Sequence, residues 1–205
     1  MLALVAITAA AQEESRFLFP GYQATKVIFK DGTIYNEKMN YNLLEDRLYF
    51  IDHKSGEEQV LTNPQDISVL NMNGRLFTFI KGHLVEVVNK APMLYAKYEP
   101  VIKKDSHHGA YGMVSETTAI HSVGGVYVGD GKLVMMDNND VHIRAVTSSY
   151  YVEIKGKIKQ FSNVNQLKKL YPAHAGEIKK YMSDNHVDFA DTDAMAKLVT
   201  YVASL

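Results

Sequence analysis

Histidines are the side chains with the strongest case for metal chemistry in this chain. His107 and His108 are adjacent, and His121 follows in the same stretch, which has no regular hydrophobic period. Imidazoles on one loop can converge on Zn²⁺ or Cu²⁺, which would make the protein a metal-assisted hydrolase. The alternative is a solvated loop that carries histidines, because no partner ligand follows at the spacing of one helical turn. The solvated loop is the interpretation that we adopt, and we expect no cofactor.

Tyrosine is the second chemistry-bearing residue type, with 13 tyrosines and no tryptophan in the chain. Exposed tyrosines on a rigid sheet make good recognition surfaces for a peptide, glycan or protein. Tyr150 and Tyr151 are adjacent in a predicted strand and must face opposite ways, so we expect one of them to be exposed. The alternative is that strand propensity alone enriches tyrosine here. The predicted ligand-binding residues lie in strands: Tyr95, Tyr98, Tyr127 and Tyr151.

Composition and motifs exclude several other classes of protein. The 22 basic and 23 acidic residues leave a formal net charge of −1, which does not suit a nucleic-acid partner. No Gly-x-Ser-x-Gly elbow is present, and the chain has no cysteine for a thiolate nucleophile or metal site. We therefore predict a non-enzymatic binding module for a protein or small ligand, with a structural subunit of an envelope assembly as the alternative.

The elements that must position these residues are indicated by glycine turns between short β-branched and aromatic runs. Turns such as Asn73-Gly74 favour tight hairpins, because Asn and Gly tolerate positive φ. The pattern predicts an antiparallel meander, barrel- or sandwich-like, closing as one unit or as two small β units. Meander strands are predicted over residues 20–100, a loop or linker over 101–125, and hairpins followed by helices over 126–205. The turns are Asp31-Gly32, Ser55-Gly56, Asn73-Gly74, Lys81-Gly82, Asp130-Gly131 and Lys155-Gly156.

The last quarter of the chain changes to helical spacing, which makes the predicted fold α+β. Ser162 or Asn163 can cap a first helix, and Asp191 or Thr192 can cap a last one. Two or three helices are predicted after residue 161. The last helix carries an apolar stripe that must be buried, formed by Met195, Leu198, Val199, Val202 and Leu205.

The first eleven residues are apolar and small, with Ala9 and Ala11 at the small-x-small spacing of a signal-peptidase site. No Lys or Arg precedes Arg16, so the basic start of such a peptide is missing. We interpret residues 1–11 as a truncated signal peptide and expect an exported, periplasmic or extracellular protein. No apolar run is long enough to span a bilayer.

Two groups of segments carry a family resemblance. The C-terminal segments are residues 161–172, 177–181, 184–189 and 198–201, and the N-terminal ones are 27–32, 39–42 and 48–52. Together they resemble a group of uncharacterised exported proteins from Bacteroidetes. The resemblance implies an extracytoplasmic location, and its motifs are structural ones that carry no catalytic residue.

Overall fold

The computed structural model describes residues 16–104, 125–128, 132–135 and 141–205. Three α-helices follow the strands: α1 (Val164–Leu170), α2 (Ala175–Asp184) and α3 (Thr192–Ala203). Short 3₁₀ turns lie at Pro64–Asp66 and Pro172–His174. The strands in these ranges are β1 (Gln23–Phe29), β2 (Ile34–Asn42), β3 (Arg47–Ile51), β4 (Glu58–Val60), β5 (Ile67–Met72), β6 (Arg75–Ile80), β7 (His83–Lys90), β8 (Met93–Lys104), β9 (Gly125–Val128), β10 (Lys132–Met135), β11 (Val141–Ile154) and β12 (Lys157–Phe161).

Ten of the strands form one antiparallel sheet in the order β12-β11-β8-β7-β6-β5-β1-β2-β3-β4, and β9 pairs with β10 separately. The predicted α+β fold, a meander followed by helices, is therefore confirmed. The large sheet is not closed, since β12 and β4 lie at its two edges. Because β8 pairs with β11 along eleven residue pairs, the strands on either side of residues 105–140 belong to the same sheet.

Two-residue hairpins form at three of the predicted glycine turns, namely Asn73-Gly74, Lys81-Gly82 and Lys155-Gly156, whereas Asp130-Gly131 lies outside the described residues. Asn73 and Gly74 both have positive φ, at 50° and 83°, and Lys81 and Gly82 do so at 53° and 84°. Two consecutive positive φ values are the signature of a type I′ turn, whose twist matches that of the flanking strands. These turns set the register of β5 with β6 and of β6 with β7.

Two strands are longer than the sequence pattern predicts. The hydrophobic pattern predicts separate strands at residues 33–35 and 39–41, but residues 34–35 and 39–41 belong to the single strand β2. In the same way, residues 141–146 and 150–154 both belong to β11. The polar residues between the pieces break the hydrophobic pattern. They do not break the backbone pairing, because Asn36 pairs with Lys26 and Ser148 pairs with Tyr98.

Alternation along the strands divides the sheet into two faces. The core face carries two hydrophobic cores, and the outer face lies opposite. The N-terminal core is built on β1–β3 and β5–β7 from Val27, Met39, Tyr41, Leu48, Leu70, Met72, Phe77 and Leu84, with Phe19 and Ile143. The C-terminal core joins β8, β11 and β12 to the helices through Leu94, Ala96, Tyr150, Val152, Phe161, Leu167, Ile178, Met195, Leu198, Val199 and Val202. Tyr98 packs against both cores.

The helices begin at side-chain caps and cover the C-terminal core. Asn163 Oδ1 accepts from the N–H of Gln166, and Asp191 Oδ1 accepts from the N–H groups of Asp193 and Ala194. These bonds satisfy donors that the first helical turn leaves unpaired. Four of the five predicted stripe residues of α3 are buried as expected, whereas Leu205 is 52% exposed because α3 ends at Ala203. Among the described residues, no helix is both long and apolar enough to cross a bilayer.

Replacing Leu198 with alanine tests the packing of α3 on the sheet. Leu198 is fully buried, so the Leu198→Ala variant should lose about 2–5 kcal/mol of unfolding free energy in urea denaturation. Lys197→Ala, one residue away on the exposed side of the same helix, is the control and should change stability by no more than about 0.5 kcal/mol. Equal losses in the two variants would contradict the burial of this helix face.

Candidate functional site

The four tyrosines predicted to bind a ligand do not form one group. Tyr95 on β8 and Tyr151 on β11 are direct cross-strand partners on the outer face. Tyr98, three residues after Tyr95 on β8, points to the core face. Tyr127 lies in β9, and its side chain is outside the described residues. The structure therefore brings together Tyr95 and Tyr151 and separates Tyr98 from them.

Tyr150 and Tyr151 face opposite ways as predicted, but the expectation that one of them is exposed is wrong. Tyr150 is fully buried: its ring stacks on Phe161 at 5.5 Å, and its hydroxyl donates to the carbonyl oxygen of Phe189 at 2.5 Å. Tyr151 is 2% exposed, and Val85 and Ser149 are also buried on the outer face. Both faces of the sheet are covered here, so alternation alone did not predict exposure.

The predicted metal ligands His107, His108 and His121 lie outside the described residues. Within the part of the chain that the structure describes, no three His, Asp or Glu side chains are grouped to hold a metal ion. Among the described residues, an imidazole contacts a carboxylate where His83 Nδ1 lies 2.5 Å from Asp46 Oδ2, and the Tyr41 hydroxyl donates to the same carboxylate. This contact ties the β2–β3 turn to the β6–β7 turn.

A cluster of aromatic rings and carboxylates lies at the N-terminal edge of the sheet. Phe17 lies 5.8 Å from Tyr22 and 5.8 Å from Tyr49 between ring centroids. The guanidinium of Arg16 lies 5.1 Å from the Phe17 centroid and 6.0 Å from that of Tyr49, within reach of a cation–π interaction. Its Nη2 also lies 3.2 Å from Oε1 of Glu58. We call these five residues the outer aromatic cluster.

The cluster forms because residues 16–18 lie beside the end of β2, where β1 no longer pairs with it. The N–H of Leu18 donates to the carbonyl of Tyr41, and the N–H of Leu43 donates to that of Arg16, both at 2.9 Å. The buried Asn40 side chain accepts from the N–H of Phe19 and donates to the carbonyls of Phe19 and Gly21. These bonds place Phe17 on the outer face next to Tyr49 of β3.

Tyrosine hydroxyls hold the carboxylates of this region in place. Tyr22 donates to Glu58, and Tyr49 donates to Glu45. Burial, followed by the bond to Glu58, raises the pKa of Tyr22. Burial, followed by the bond to Glu45, raises the pKa of Tyr49 to about 12. Both phenols therefore stay protonated at neutral pH, where they can donate hydrogen bonds but cannot act as phenolate nucleophiles.

The contacts of Arg16 are favourable but weak. Its side chain is 37% exposed and that of Glu58 is 34% exposed, so solvent screens the pair. An exposed ion pair contributes about 0.2–1 kcal/mol, and an exposed cation–π contact adds about 0.5–1 kcal/mol. The side chain of Arg16 is therefore held by about 1–2 kcal/mol in total, an amount that a competing cation can match.

A second arginine has the same kinds of neighbours on the core face, but it is bound more tightly. Arg75 of β6 donates from Nε and Nη2 to the two oxygens of Glu86 on β7, at 2.7 and 2.6 Å. Its Nη2 lies 2.7 Å from the Tyr98 hydroxyl, which itself donates to Glu86. The guanidinium also lies over the rings of Phe19, Phe77 and Tyr98 at 5.1–5.3 Å. We call Arg75, Glu86 and Tyr98 the core-face joint.

One shallow open pocket of about 390 Å³ lies beside β5 and β6. Its volume is near the lower limit for ligand pockets, and Lys30 is its one charged lining residue. Beside it lie Ser68 and Thr78, whose hydroxyl donates to the Ser68 carbonyl. The lining therefore contains no carboxylate or imidazole for acid–base chemistry.

The sequence did not indicate the outer aromatic cluster as a site. Its members come from residues 16–22, β3 and β4, which are distant in sequence. The sequence pattern of residues 13–22 indicates only a polar lead with Pro20 and Gly21 near its end. The available signal was the pair of adjacent residues Arg16 and Phe17, together with Tyr22 and Tyr49, in a chain rich in tyrosine. No family model matches the chain, and comparison with curated proteins and with solved structures finds no significant match.

Replacing Glu86 with glutamine tests the core-face joint. The variant removes the charge that both Arg75 and Tyr98 bond, while the Glu86 side chain is only 13% exposed. Glu86→Gln should therefore cost about 1.5–3 kcal/mol of unfolding free energy in chemical denaturation. Glu58→Gln, which removes the exposed carboxylate paired with Arg16, is the matched control and should cost no more than about 1 kcal/mol. Similar losses of unfolding free energy in the two variants would show that the contacts of Glu86 are no stronger than those of Glu58.

The buried Tyr41 should make stability fall in alkaline solution. Burial, followed by the charge of Asp46, raises the pKa of Tyr41 well above its ordinary value. In the unfolded chain this phenol ionises near pH 10, so above that pH the unfolded state binds fewer protons and the unfolding free energy falls. Each such tyrosine contributes a slope of up to about 1.4 kcal/mol per pH unit.

The measurement is chemical denaturation between pH 8 and pH 11 of the wild type and of Tyr41→Phe. The phenylalanine variant should lose less stability above pH 10, because it lacks the titrating hydroxyl. Tyr35→Phe, at a tyrosine that is 54% exposed, is the control and should follow the wild type. A Tyr41→Phe curve parallel to that of the wild type would refute the assignment.

Proposed function

We propose that this protein is a non-enzymatic binding module of the cell envelope that recognises a partner macromolecule through the outer face of its sheet. The observation that carries the proposal is the outer aromatic cluster, in which three half-buried rings and a carboxylate converge on one face. Aromatic rings with polar tips supply large contact areas at low entropic cost, which suits recognition.

The chemistry of the cluster favours binding over catalysis. Glu58 is bonded by Tyr22 and Arg16, and Glu45 is bonded by Tyr49 and Asn42. In the unbound state these oxygens accept hydrogen bonds from the protein's own side chains, which suits a hydrogen-bonding surface better than a general acid or base held ready for a substrate proton. Tyrosine, phenylalanine and arginine are also the side chains that dominate protein interfaces.

An envelope location is supported by the sequence of the first eleven residues, which has the small-residue spacing of a signal-peptidase site. The absence of cysteine suits an exported bacterial protein that folds without disulfides. The resemblance to exported proteins of Bacteroidetes points to the same location. The partner is therefore proposed to be an envelope component.

Site-specific photo-crosslinking in the cells of origin tests this proposal. A benzophenone amino acid replaces Tyr22 in one variant and Tyr35 in another, both expressed with an export signal. We expect a discrete adduct at Tyr22 in the envelope fraction and none at Tyr35, which is exposed and lies outside the cluster. The adduct should disappear when Phe17→Ser and Tyr49→Ser are added, provided that the thermal midpoint shows a folded protein.

Three outcomes would contradict the proposal. They are the absence of any adduct at Tyr22, an adduct that survives the loss of Phe17 and Tyr49, and adducts confined to the cytoplasmic fraction. An identical adduct at Tyr22 and Tyr35 would instead indicate a subunit enclosed in an assembly, which is the alternative function.

A further inference from the structure

The side chain of Arg16 occupies the outer aromatic cluster as a bound ligand would. Its guanidinium lies over the rings of Phe17 and Tyr49, and its Nη2 is 3.2 Å from Glu58. The guanidinium therefore stands in for a cationic group that another molecule could present. Its contacts are those that proteins use to bind arginine side chains, namely stacking on rings and pairing with a carboxylate.

We propose that the outer aromatic cluster is a guanidinium-binding site, that it receives an arginine side chain of the partner protein, and that Arg16 fills it in the unbound state. This inference rests on the proposed binding function and names the group recognised. The bound arginine takes the place of Arg16 over the Phe17 and Tyr49 rings and pairs with the Glu58 oxygen that Arg16 had contacted.

The backbone allows this exchange, because residues 16–18 are held by contacts that do not involve the Arg16 side chain. The bonds between Leu18 and Tyr41 and between Leu43 and Arg16 join backbone atoms. Asn40 anchors the next residues through Phe19 and Gly21. The side chain of Arg16 can therefore turn into solvent while the Phe17 ring stays in place.

The carboxylate also keeps its orientation after Arg16 leaves. Tyr22 donates to Oε2 of Glu58, whereas Arg16 contacts Oε1. One oxygen is thus fixed by a neighbour, and the other becomes available to a ligand. A site that is preformed in this way loses little entropy on binding, which raises its affinity for a small cationic group.

The core-face joint shows that this chain can hold a guanidinium with the same set of groups. Arg75 lies over aromatic rings and pairs with Glu86, and the hydroxyl of Tyr98 bonds that carboxylate. Tyr22 and Glu58 repeat the relation between Tyr98 and Glu86 on the outer face. A planar guanidinium suits both places better than an ammonium, because it stacks on rings while donating several hydrogen bonds.

The test is an NMR titration of the folded protein with Nα-acetyl-arginine amide. Arg16 competes for the site, and its contacts must be broken before the arginine compound can bind. Its removal should therefore increase the affinity for that compound about 5–30-fold. Arg16→Ala should therefore show a Kd about 5–30-fold lower than the wild type, with shifts at Phe17, Tyr22 and Tyr49. Nα-acetyl-lysine amide should bind several-fold more weakly.

Two controls separate the site from the rest of the surface. Lys26→Ala removes an exposed cation of β1 and should leave the Kd at the wild-type value. Adding Glu58→Gln to Arg16→Ala should remove the gain in affinity, because the carboxylate is lost. Arg16→Gln replaces the alanine variant if that variant does not fold.

The proposal is overturned if Arg16→Ala binds no more tightly than the wild type, if Glu58→Gln leaves its affinity unchanged, or if the lysine compound binds equally well. The crosslinking experiment tests the binding module separately from the guanidinium site. An adduct at Tyr22 without arginine binding would support the binding module and refute the guanidinium site. Arginine binding without an adduct would support a guanidinium site and refute the proposed binding module.

Discussion

The core-face joint is the contact on which the arrangement of this fold depends. Arg75, Glu86 and Tyr98 lie on the successive strands β6, β7 and β8, at the place where the N-terminal core meets the C-terminal core. A shift of one residue in the pairing of β6 with β7, or of β7 with β8, would move one of these side chains to the outer face and break its hydrogen bonds to the others. The joint therefore favours a single register across the middle of the sheet.

This constraint also decides which surface is available for recognition. The core face is used by the two cores and by the helices, which pack on β7, β8 and β12. On the outer face, Tyr151 and Ser149 of β11 and Val85 of β7 are buried. Toward β4 the outer face is more open, and there the rings of Phe17, Tyr22 and Tyr49 are only half-buried. The recognition surface is proposed there for that reason.

Local signals predicted the parts of the fold that depend on local structure. The Asn73-Gly74 turn needs positive φ at two adjacent residues, and the apolar stripe of α3 repeats with the period of a helix. Both features can therefore be predicted from the sequence. The sequence pattern does not predict that β2 and β11 are each one continuous strand. Their continuity depends on backbone pairing with neighbouring strands, and polar side chains such as that of Ser148 give no sign of this pairing. The α+β class was therefore predictable, while the lengths of individual strands were not.

The candidate site was less predictable than the fold because its position depends on long-range contacts. Tyr98 reads in sequence as a strand tyrosine like any other, yet its hydroxyl belongs to the core-face joint. Phe17 reads as part of a polar lead, yet Asn40, distant in sequence, fixes the neighbouring segment and so places Phe17 beside Tyr49. Hydrophobic periodicity reports which face a residue occupies, but it does not report which segment covers that face.

Two arginines in similar surroundings show how burial separates a structural contact from an exchangeable one. Arg75 makes two hydrogen bonds to a carboxylate that is 13% exposed, so its removal leaves a largely buried charge with the Tyr98 hydroxyl as its donor and no cation beside it. Arg16 makes one longer contact to a carboxylate that is 34% exposed, so water can replace it. The two arginine side chains are about equally exposed, at 36% and 37%, so the exposure of the carboxylate is what distinguishes the stronger contact from the exchangeable one. A site that must release its internal occupant to bind another molecule has to be of the second kind.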